Sequence, residues 1–349
     1  MLLRRFGWII ATLLATAGTG RVSADAPPLA IERVAVVDVV QGNLAPSRTV
    51  LIKHGRIAAV DKPGAVTIPP GTARVDGRGR FLIPGLVDMH VHLFNNATHR
   101  PPNDWMFALF VANGVTGVRE MAATPHDMQQ VARWREAVDG GALVAPHVLA
   151  AGVVVNDASD VREQVREAAG SGADFIKIFS ELSPSSWRVV LAEARLRHLP
   201  VAGHVPAAVA ALDAAQAGQV MAEHLMQIFE ACSSVEGDVL AARQVLDGAA
   251  ATAMRDAQEM RVLRAFDPAA CAKTAKAIAL AGQAQTPTLT IDWFDPARFT
   301  GEYTADPRWH LLRTDEQARW RQYLQPAPAA DRKLADLRWN VSCRIVRTL

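Results

Sequence analysis

The chain has 349 residues, of which 50% are apolar and 21% charged, a composition typical of a globular protein with a sizeable core. The formal charge of +2 includes Arg4, Arg5 and Arg21. Without these three, 34 basic residues face 35 acidic ones, so the remaining charge of about −1 gives no indication of a nucleic-acid partner. Three cysteines are too few for a disulfide framework. Cys232 and Cys271 could pair in an oxidising compartment or remain buried thiols.

The N-terminus has the pattern of a secretory signal peptide. Arg4 and Arg5 precede an apolar run over residues 6–17, and Val22-Ser23-Ala24 supplies the small residues of a cleavage site. We predict a signal peptide over residues 1–24, cut after Ala24, and a secreted or periplasmic protein. The apolar run is short for a bilayer span, so no stable membrane anchor is expected, with an uncleaved anchor as the alternative.

Residues 25–83 are predicted to form a small β-sandwich domain. Residues 31–40, 49–53 and 56–60 are rich in β-forming side chains, and His54-Gly55 between the last two predicts a hairpin turn. From Pro84 the pattern changes to apolar strands alternating with amphipathic helices, which is typical of βα units and a parallel sheet.

Residues 84–349 are predicted to form an α/β domain of the TIM-like (β/α)8 barrel type. No Gly-rich dinucleotide motif follows any strand, which disfavours a doubly wound sheet. Helices are expected at 127–138, 158–170, 184–198 and 206–217, and seven strands at 86–93, 115–121, 143–151, 173–180, 200–205, 219–225 and 285–291.

The first predicted strand ends in two histidines, His90 and His92. Side chains two apart on a strand point to the same face, so both imidazoles can reach one metal ion. Imidazole is a common ligand of zinc and related ions. A single His-x-His is weak evidence, and its weight depends on ligands at other strand ends.

Three further candidates lie at later strand ends: Lys177, His204 and His224. Each has an ordinary explanation, since a strand histidine is commonly hydrogen-bonded in the core and a buried lysine can pair with an acid. Burying a charged lysine unpaired is costly. Carbamylation would convert its amine into a carboxylate-like group that can bridge two metal ions. Active sites of TIM barrels lie at the C-terminal ends of the strands, so five candidates there together predict a metal site.

These motifs resemble the metal-dependent amidohydrolase superfamily. The resemblance covers residues 31–291 and rests on Pro-Gly-Leu-Val-Asp-Met-His-Val-His, Ile-Lys-Ile-Phe, Gly-His-Val and Glu-His-Leu. It is strongest for the imidazolonepropionase-like branch, which includes secreted prolidase-type dipeptidases. The resemblance implies two divalent metal ions, zinc by default. His90 and His92 would bind the more buried ion, His204 and His224 the more exposed one, and carbamylated Lys177 would bridge both.

By the same resemblance, a metal-bridging hydroxide would attack the carbonyl carbon of an amide or dipeptide C–N bond. Small amides or dipeptides are therefore the expected partners, a homo-oligomer is compatible with the pattern, and a cyclic-amide or lactone hydrolase is the alternative. Asp88 is expected to orient the strand or a ligand rather than bind metal.

One expected residue is missing from the pattern. Family members carry a general acid/base aspartate at the end of strand eight, within Gly-Thr-Asp, and no such segment occurs in the chain. Asp292 is the nearest acidic residue but follows a different strand. The resemblance therefore implies a C-terminally truncated barrel without its eighth strand, and a catalytically inactive family member as a further alternative.

Overall fold

The computed structural model describes residues 27–94, 101–157, 159–295, 303–324 and 328–349. The predicted signal peptide lies outside these residues. The chain divides into two compact units. Unit one comprises the chain up to Glu120 together with His126–Leu149, and unit two comprises Met121–Pro125 and Ala150–Leu349. Among the described residues, no helix has the length and apolar character needed to cross a membrane.

The N-terminal strands form a sheet of their own. Its five strands are β1 Leu29–Asp38, β2 Asn43–Lys53, β3 Arg56–Asp61, β4 Ala73–Asp76 and β5 Phe81–Leu82. The order is β3-β2-β1-β4, with β5 also pairing with β1. The predicted hairpin is confirmed: β2 and β3 are antiparallel, and His54 and Gly55 both adopt the positive φ that a tight two-residue turn requires.

The remaining strands form one seven-stranded sheet. They are β6 Leu86–Val91, β7 Val115–Ala123, β8 His147–Asn156, β9 Phe175–Glu181, β10 Val201–Gly203, β11 Gln219–Glu223 and β12 Ala284–Thr286. Neighbours in the sheet are neighbours in the chain, from β6 to β12. Parallel strands in chain order with intervening helices are the arrangement of a TIM-like barrel, so the predicted fold class is confirmed.

Helices connect these strands and extend beyond them. In chain order they are α1 Phe107–Ala112, α2 Pro125–Asp139, α3 Val161–Gly170, α4 Pro184–Leu196, α5 Ala211–Ala217, α6 Ile228–Ala231, α7 Glu236–Gln244, α8 Gly248–Arg264, α9 Pro268–Ala281, α10 Leu289–Phe294, α11 Thr314–Tyr323 and α12 Ala329–Thr348. The predicted start of α4 is confirmed, because the Ser183 side chain accepts a hydrogen bond from the Ser186 amide and Pro184 is the first helical residue.

Three predicted elements were wrong in part. The strand expected over 143–151 spans His147–Asn156. The strand expected over 285–291 ends at Thr286 and is followed by Pro287, which lacks an N–H for the sheet. Thr288 then takes a left-handed conformation, with φ of 52°, and α10 begins at Leu289. The helix expected over 206–217 begins only at Ala211.

The side chains of strand β9 alternate between two buried faces of the sheet in unit two. Ile176 and Ile178 are fully buried and pack into a cluster with residues of α3 and α4. Phe175 belongs to a different buried cluster, which includes Ala202 of the neighbouring strand. Because side chains alternate along a strand, Lys177 shares the face of Phe175. The lysine therefore lies on the side of the sheet away from the helices.

A disulfide bond joins Cys232, just after α6, to Cys271 in α9. The pairing follows the first of the two alternatives left open by the sequence. Both cysteines are fully buried within an apolar cluster of unit two.

Candidate active site

The first histidine pair lies at the end of β6 in unit one. The rings of His90 and His92 are 5.2 Å apart, edge to face. The Asp88 carboxylate accepts a hydrogen bond from the His90 amide at 3.0 Å, and Asn103 donates its side-chain amide to the His92 carbonyl at 3.2 Å. Asp88 therefore orients the strand backbone, as expected from the sequence.

The neighbouring strand β7 also holds this segment. Arg119 donates from Nε to the Met89 carbonyl at 2.7 Å, and the Glu120 carboxylate accepts from the Leu93 amide. Both β7 side chains are buried. The backbone is thus fixed on both sides of the histidines, which limits the positions their rings can take.

The second histidine pair belongs to unit two. The rings of His204, after β10, and His224, after β11, are 5.1 Å apart and nearly perpendicular. The Nδ1 atom of each ring meets a hydroxyl group: His204 lies 3.0 Å from Ser180 Oγ, and His224 lies 2.7 Å from Thr288 Oγ1. In metal sites, a hydrogen bond at one ring nitrogen fixes the other nitrogen as the ligand.

The hydroxyl network assigns the tautomer of His224. Thr288 Oγ1 donates its own hydrogen to the Pro287 carbonyl at 2.8 Å, so its oxygen accepts from His224 Nδ1–H. The basic nitrogen of a neutral His224 is then Nε2, the form that a metal ligand requires.

The ring of His204 is held through a network of its own. Ser180 Oγ lies 3.0 Å from His204 Nδ1, receives a hydrogen bond from Arg255 Nη1 at 3.0 Å, and lies 3.5 Å from the Met226 sulfur. The serine hydroxyl therefore fixes the Nδ1 side of the His204 ring.

Lys177 lies close to this second pair within unit two. Its side chain is buried, with only 1% of its surface exposed. The Nζ atom is 4.7 Å from the centre of the Phe179 ring, and that ring is itself 5.0 Å from the His204 ring. Gly203, on the adjacent strand, leaves room for the lysine: a Cβ there would come within 2.6 Å of Lys177 Cδ.

The chemistry of these side chains fits a divalent metal ion. Among the described residues, no three His, Cys, Asp or Glu side chains form a metal-binding group. Two imidazoles alone leave a tetrahedral ion short of ligands, and an unmodified ammonium cannot supply one. Carbamylation would give Lys177 an oxygen atom that can bind a metal ion. The predicted modification would therefore add a ligand to the two that the histidines provide.

A small cavity of about 60 Å³ lies beside His224 in unit two. Phe229 and Leu263 contribute apolar surface, and Arg255 and Arg338 contribute positive charge. Each arginine is already paired with a carboxylate, Arg255 with Asp256 at 2.9 Å and Arg338 with Glu259. The charges that line the cavity beside His224 are therefore largely balanced.

Asp292 is engaged elsewhere. It lies on α10, where it accepts a hydrogen bond from Ser342 of α12 at 2.8 Å and lies 3.9 Å from Arg338. This position ties the two helices α10 and α12 together.

Sequence reasoning missed the residues that hold the second histidine pair. Ser180, Thr288 and Arg255 all take part in the hydrogen bonds around it. Ser180 could have been found, because it is a polar residue at the C-terminal end of the predicted strand 173–180. Thr288 was hidden by the wrong assignment of 285–291 to a strand.

The fold and the strand-end histidines define a TIM-like barrel of the kind whose active sites form at the C-terminal ends of the strands. The sequence profile of the amidohydrolase family matches residues 81–255, half of the chain. The chain belongs to the amidohydrolase family.

Similarity to individual proteins is shorter or more distant. A dihydroorotase of Desulforapulum autotrophicum is 44% identical over 52 residues, 15% of this chain and 12% of that protein. A solved structure of bottromycin amidohydrolase superposes with a TM-score of 0.62 and 22% identity, over 97% of this chain and 71% of that one. A solved structure of a Xaa-Pro dipeptidase with bound methionine superposes with a TM-score of 0.56 and 16% identity, over 92% of this chain and 75% of that one. At these identities the two structures show the shared fold alone.

Proposed function

We propose that this protein is a metal-dependent hydrolase that cleaves C–N bonds in small amides or dipeptides. The observation that carries the proposal is the paired placement of His204 and His224: the two rings are 5.1 Å apart at the ends of neighbouring strands, and each is held at Nδ1 by a hydroxyl group. Membership of the amidohydrolase family supports the same reaction class.

Each unit contributes a histidine pair to this proposal. His90 and His92 would bind one divalent ion in unit one, and His204 and His224 would bind another in unit two, with carbamylated Lys177 as an oxygen ligand beside them. The bridging position of Lys177 between the two ions stays a prediction from the sequence. Zinc is the expected metal for imidazole and carboxylate-type ligands. Divalent ions bound there would polarise the scissile carbonyl and acidify water.

The chain's own residues would keep this chemistry in place. Ser180 and Thr288 hold the two rings at Nδ1, and Arg255 supplies a hydrogen bond to Ser180. Carbamylation of the buried Lys177 would place an oxygen ligand beside the two rings.

Metal analysis of the purified protein tests the ligand assignment. We expect bound divalent metal in the unaltered chain and a clear loss in His204→Asn/His224→Asn. His198→Asn is the matched control, since His198 is an exposed histidine of the same unit with a φ of 56° that asparagine tolerates. Equal metal content in all three proteins would contradict the proposal.

The substrate class is to be tested with linear dipeptides, N-acyl amino acids, cyclic amides and lactones. We expect turnover of the linear amides. The sequence similarity to a dihydroorotase keeps cyclic amides as the second candidate. Preferential cleavage of the cyclic compounds would favour that candidate.

We also propose that the protein is exported. The disulfide between Cys232 and Cys271 supports this location, because such bonds persist in oxidising compartments. Cell fractionation tests it: recovery in the periplasm or medium, with processing after Ala24, is expected, and full retention in the cytoplasm would contradict it.

A further inference from the structure

The turn that carries His224 has an unusual backbone. His224, Leu225 and Gln227 adopt positive φ angles of 61°, 55° and 61°, although none of them is glycine. Left-handed conformations at such residues are unfavourable and persist only where the surroundings enforce them. Some other part of unit two must therefore hold this turn.

Gln227 provides the first of these contacts. Its side chain is buried, with 1% of its surface exposed. The side-chain nitrogen donates to the Pro206 carbonyl at 3.0 Å, and the side-chain oxygen accepts from Arg243 Nη1 at 3.1 Å. Pro206 lies two residues after His204, so this one side chain links the segments that follow both histidines.

Arg243 is the centre of the contacts around Gln227. It lies on α7 and is fully buried. Its Nη1 atom is 2.8 Å from the Glu230 carboxylate of α6 and also donates to the Ala207 carbonyl at 3.3 Å, while Nε donates to Gln258 of α8 at 2.8 Å. One guanidinium thus ties together α6, α8 and the segment after His204.

The arginine is not fully satisfied by this arrangement. Its Nη2 atom is buried without a hydrogen-bond partner among the described residues. A buried ion pair with an unsatisfied donor is a poor means of stabilising a core, where apolar residues commonly serve as well or better. Its contacts instead converge on the backbone that presents His204 and His224.

The other end of the same segment is fixed independently. Helix α6 spans Ile228–Ala231 and leads directly to Cys232, which is bonded to Cys271 of α9. The turn after His224 is therefore held between a buried arginine on one side and a disulfide on the other.

We propose that Arg243 is a positioning residue for His224. Through Gln227 and Glu230 it holds the left-handed turn in the one conformation that directs the His224 ring toward His204. The expected effect on metal affinity rests on the proposed metal-binding function. The ordering of the turn can be measured without any metal.

Hydrogen exchange of the metal-free full chain measures the turn directly. In Arg243→Lys, which keeps a positive charge for Glu230 but loses the planar fork, we expect faster exchange over residues 224–232 and little change in α4. The matched control is Arg261→Lys. It alters the exposed ion pair between Arg261 of α8 and Asp238 of α7. The N–O distance of this pair is 2.8 Å, the same as between Arg243 and Glu230. Unchanged exchange at 224–232 in Arg243→Lys would overturn the proposal.

Cobalt titration followed by visible absorption measures the consequence for the ligand. We expect cobalt to bind 10–100-fold more weakly in Arg243→Lys, in line with other residues that orient metal ligands, and with unchanged affinity in the control. If the unaltered chain binds no cobalt, the proposed function fails. If it binds cobalt and Arg243→Lys binds it equally well, the positioning role fails.

A second variant serves if Arg243→Lys does not fold. Asparagine tolerates the left-handed conformation of Gln227, but its shorter side chain cannot span Pro206 and Arg243. We therefore expect Gln227→Asn to remain folded at a lower melting temperature and to lose cobalt affinity. Retained affinity in a folded Gln227→Asn would also contradict the proposal.

Discussion

Single side chains decide whether the two histidines of unit two can act on one ion. The tautomer of His224 follows from Thr288, whose hydroxyl hydrogen goes to the Pro287 carbonyl and whose oxygen faces the ring. Lys177 reaches its buried position because Gly203, on the adjacent strand, lacks a side chain. Small groups beside the candidate ligands therefore determine the geometry as much as the ligands themselves.

Gly203→Ala should displace Lys177 and destabilise the fold. An added Cβ would collide with Lys177 Cδ and the Ile178 carbonyl, and the φ of 120° is unfavourable for alanine. Gly218→Ala is the control, since Gly218 has a φ of 96° but its nearest neighbour is the end of Arg195 at 3.4 Å. Thermal denaturation should show a larger loss for Gly203→Ala, by roughly 1–3 kcal/mol. Equal losses would show that the collision contributes nothing.

The Glu193 carboxylate predicts a pH dependence of stability. Burial alone would raise its pKa, but hydrogen bonds from Arg197 and Arg166 outweigh this effect and hold the pKa below its ordinary value of 4.5. A lowered pKa in the folded state stabilises the protein above about pH 4.5, and this contribution is lost as the pH falls through the lowered value.

We therefore expect Glu193→Gln to lower the melting temperature at pH 7 and to lose this effect in strongly acidic buffer. Glu163→Gln is the control, because Glu163 pairs with the same Arg166 but is exposed. Melting curves across the pH range provide the measurement. A lowering of the melting temperature by Glu193→Gln that stays constant from neutral to acidic pH would contradict the lowered pKa of Glu193.

At the scale of elements, strand and helix positions were largely predictable, because apolar alternation and capping residues are local signals. The exceptions lie where local signals conflict with tertiary contacts. Residues 287–291 are apolar and β-rich, yet Pro287 and the left-handed Thr288 end the strand. The left-handed turn at His224 had no sequence signal at all, since its conformation is held by the distant Arg243.

Loss of the disulfide should loosen the elements after β11. Cys232 and Cys271 are 39 residues apart, and a bond that closes such a loop stabilises a fold by about 2–4 kcal/mol. We expect Cys232→Ser/Cys271→Ser to unfold at lower denaturant concentration, and Cys343→Ser, which removes the free cysteine, to be neutral. Equal midpoints for the two variants would contradict a structural role for the bond.

For the whole molecule, the sequence patterns were sufficient to predict the barrel class and the family. Seven strands in chain order and an amidohydrolase family match confirm both, while the metal-binding role of the five candidate residues stays a prediction. The orientation of the imidazoles was not predictable, since it depends on hydroxyl groups brought in from other strands and loops. The reaction proposed for the protein rests on that orientation together with the family.

Hydrolysis of a dipeptide and N-acyl amino acid panel, measured before and after metal removal, tests the central claim most directly. The account predicts release of the free amine by the metal-loaded protein, its loss after chelation, and its return when a divalent metal is added back. Hydrolysis that continues unchanged after complete metal removal, or no hydrolysis by the fully metal-loaded protein, would contradict the account.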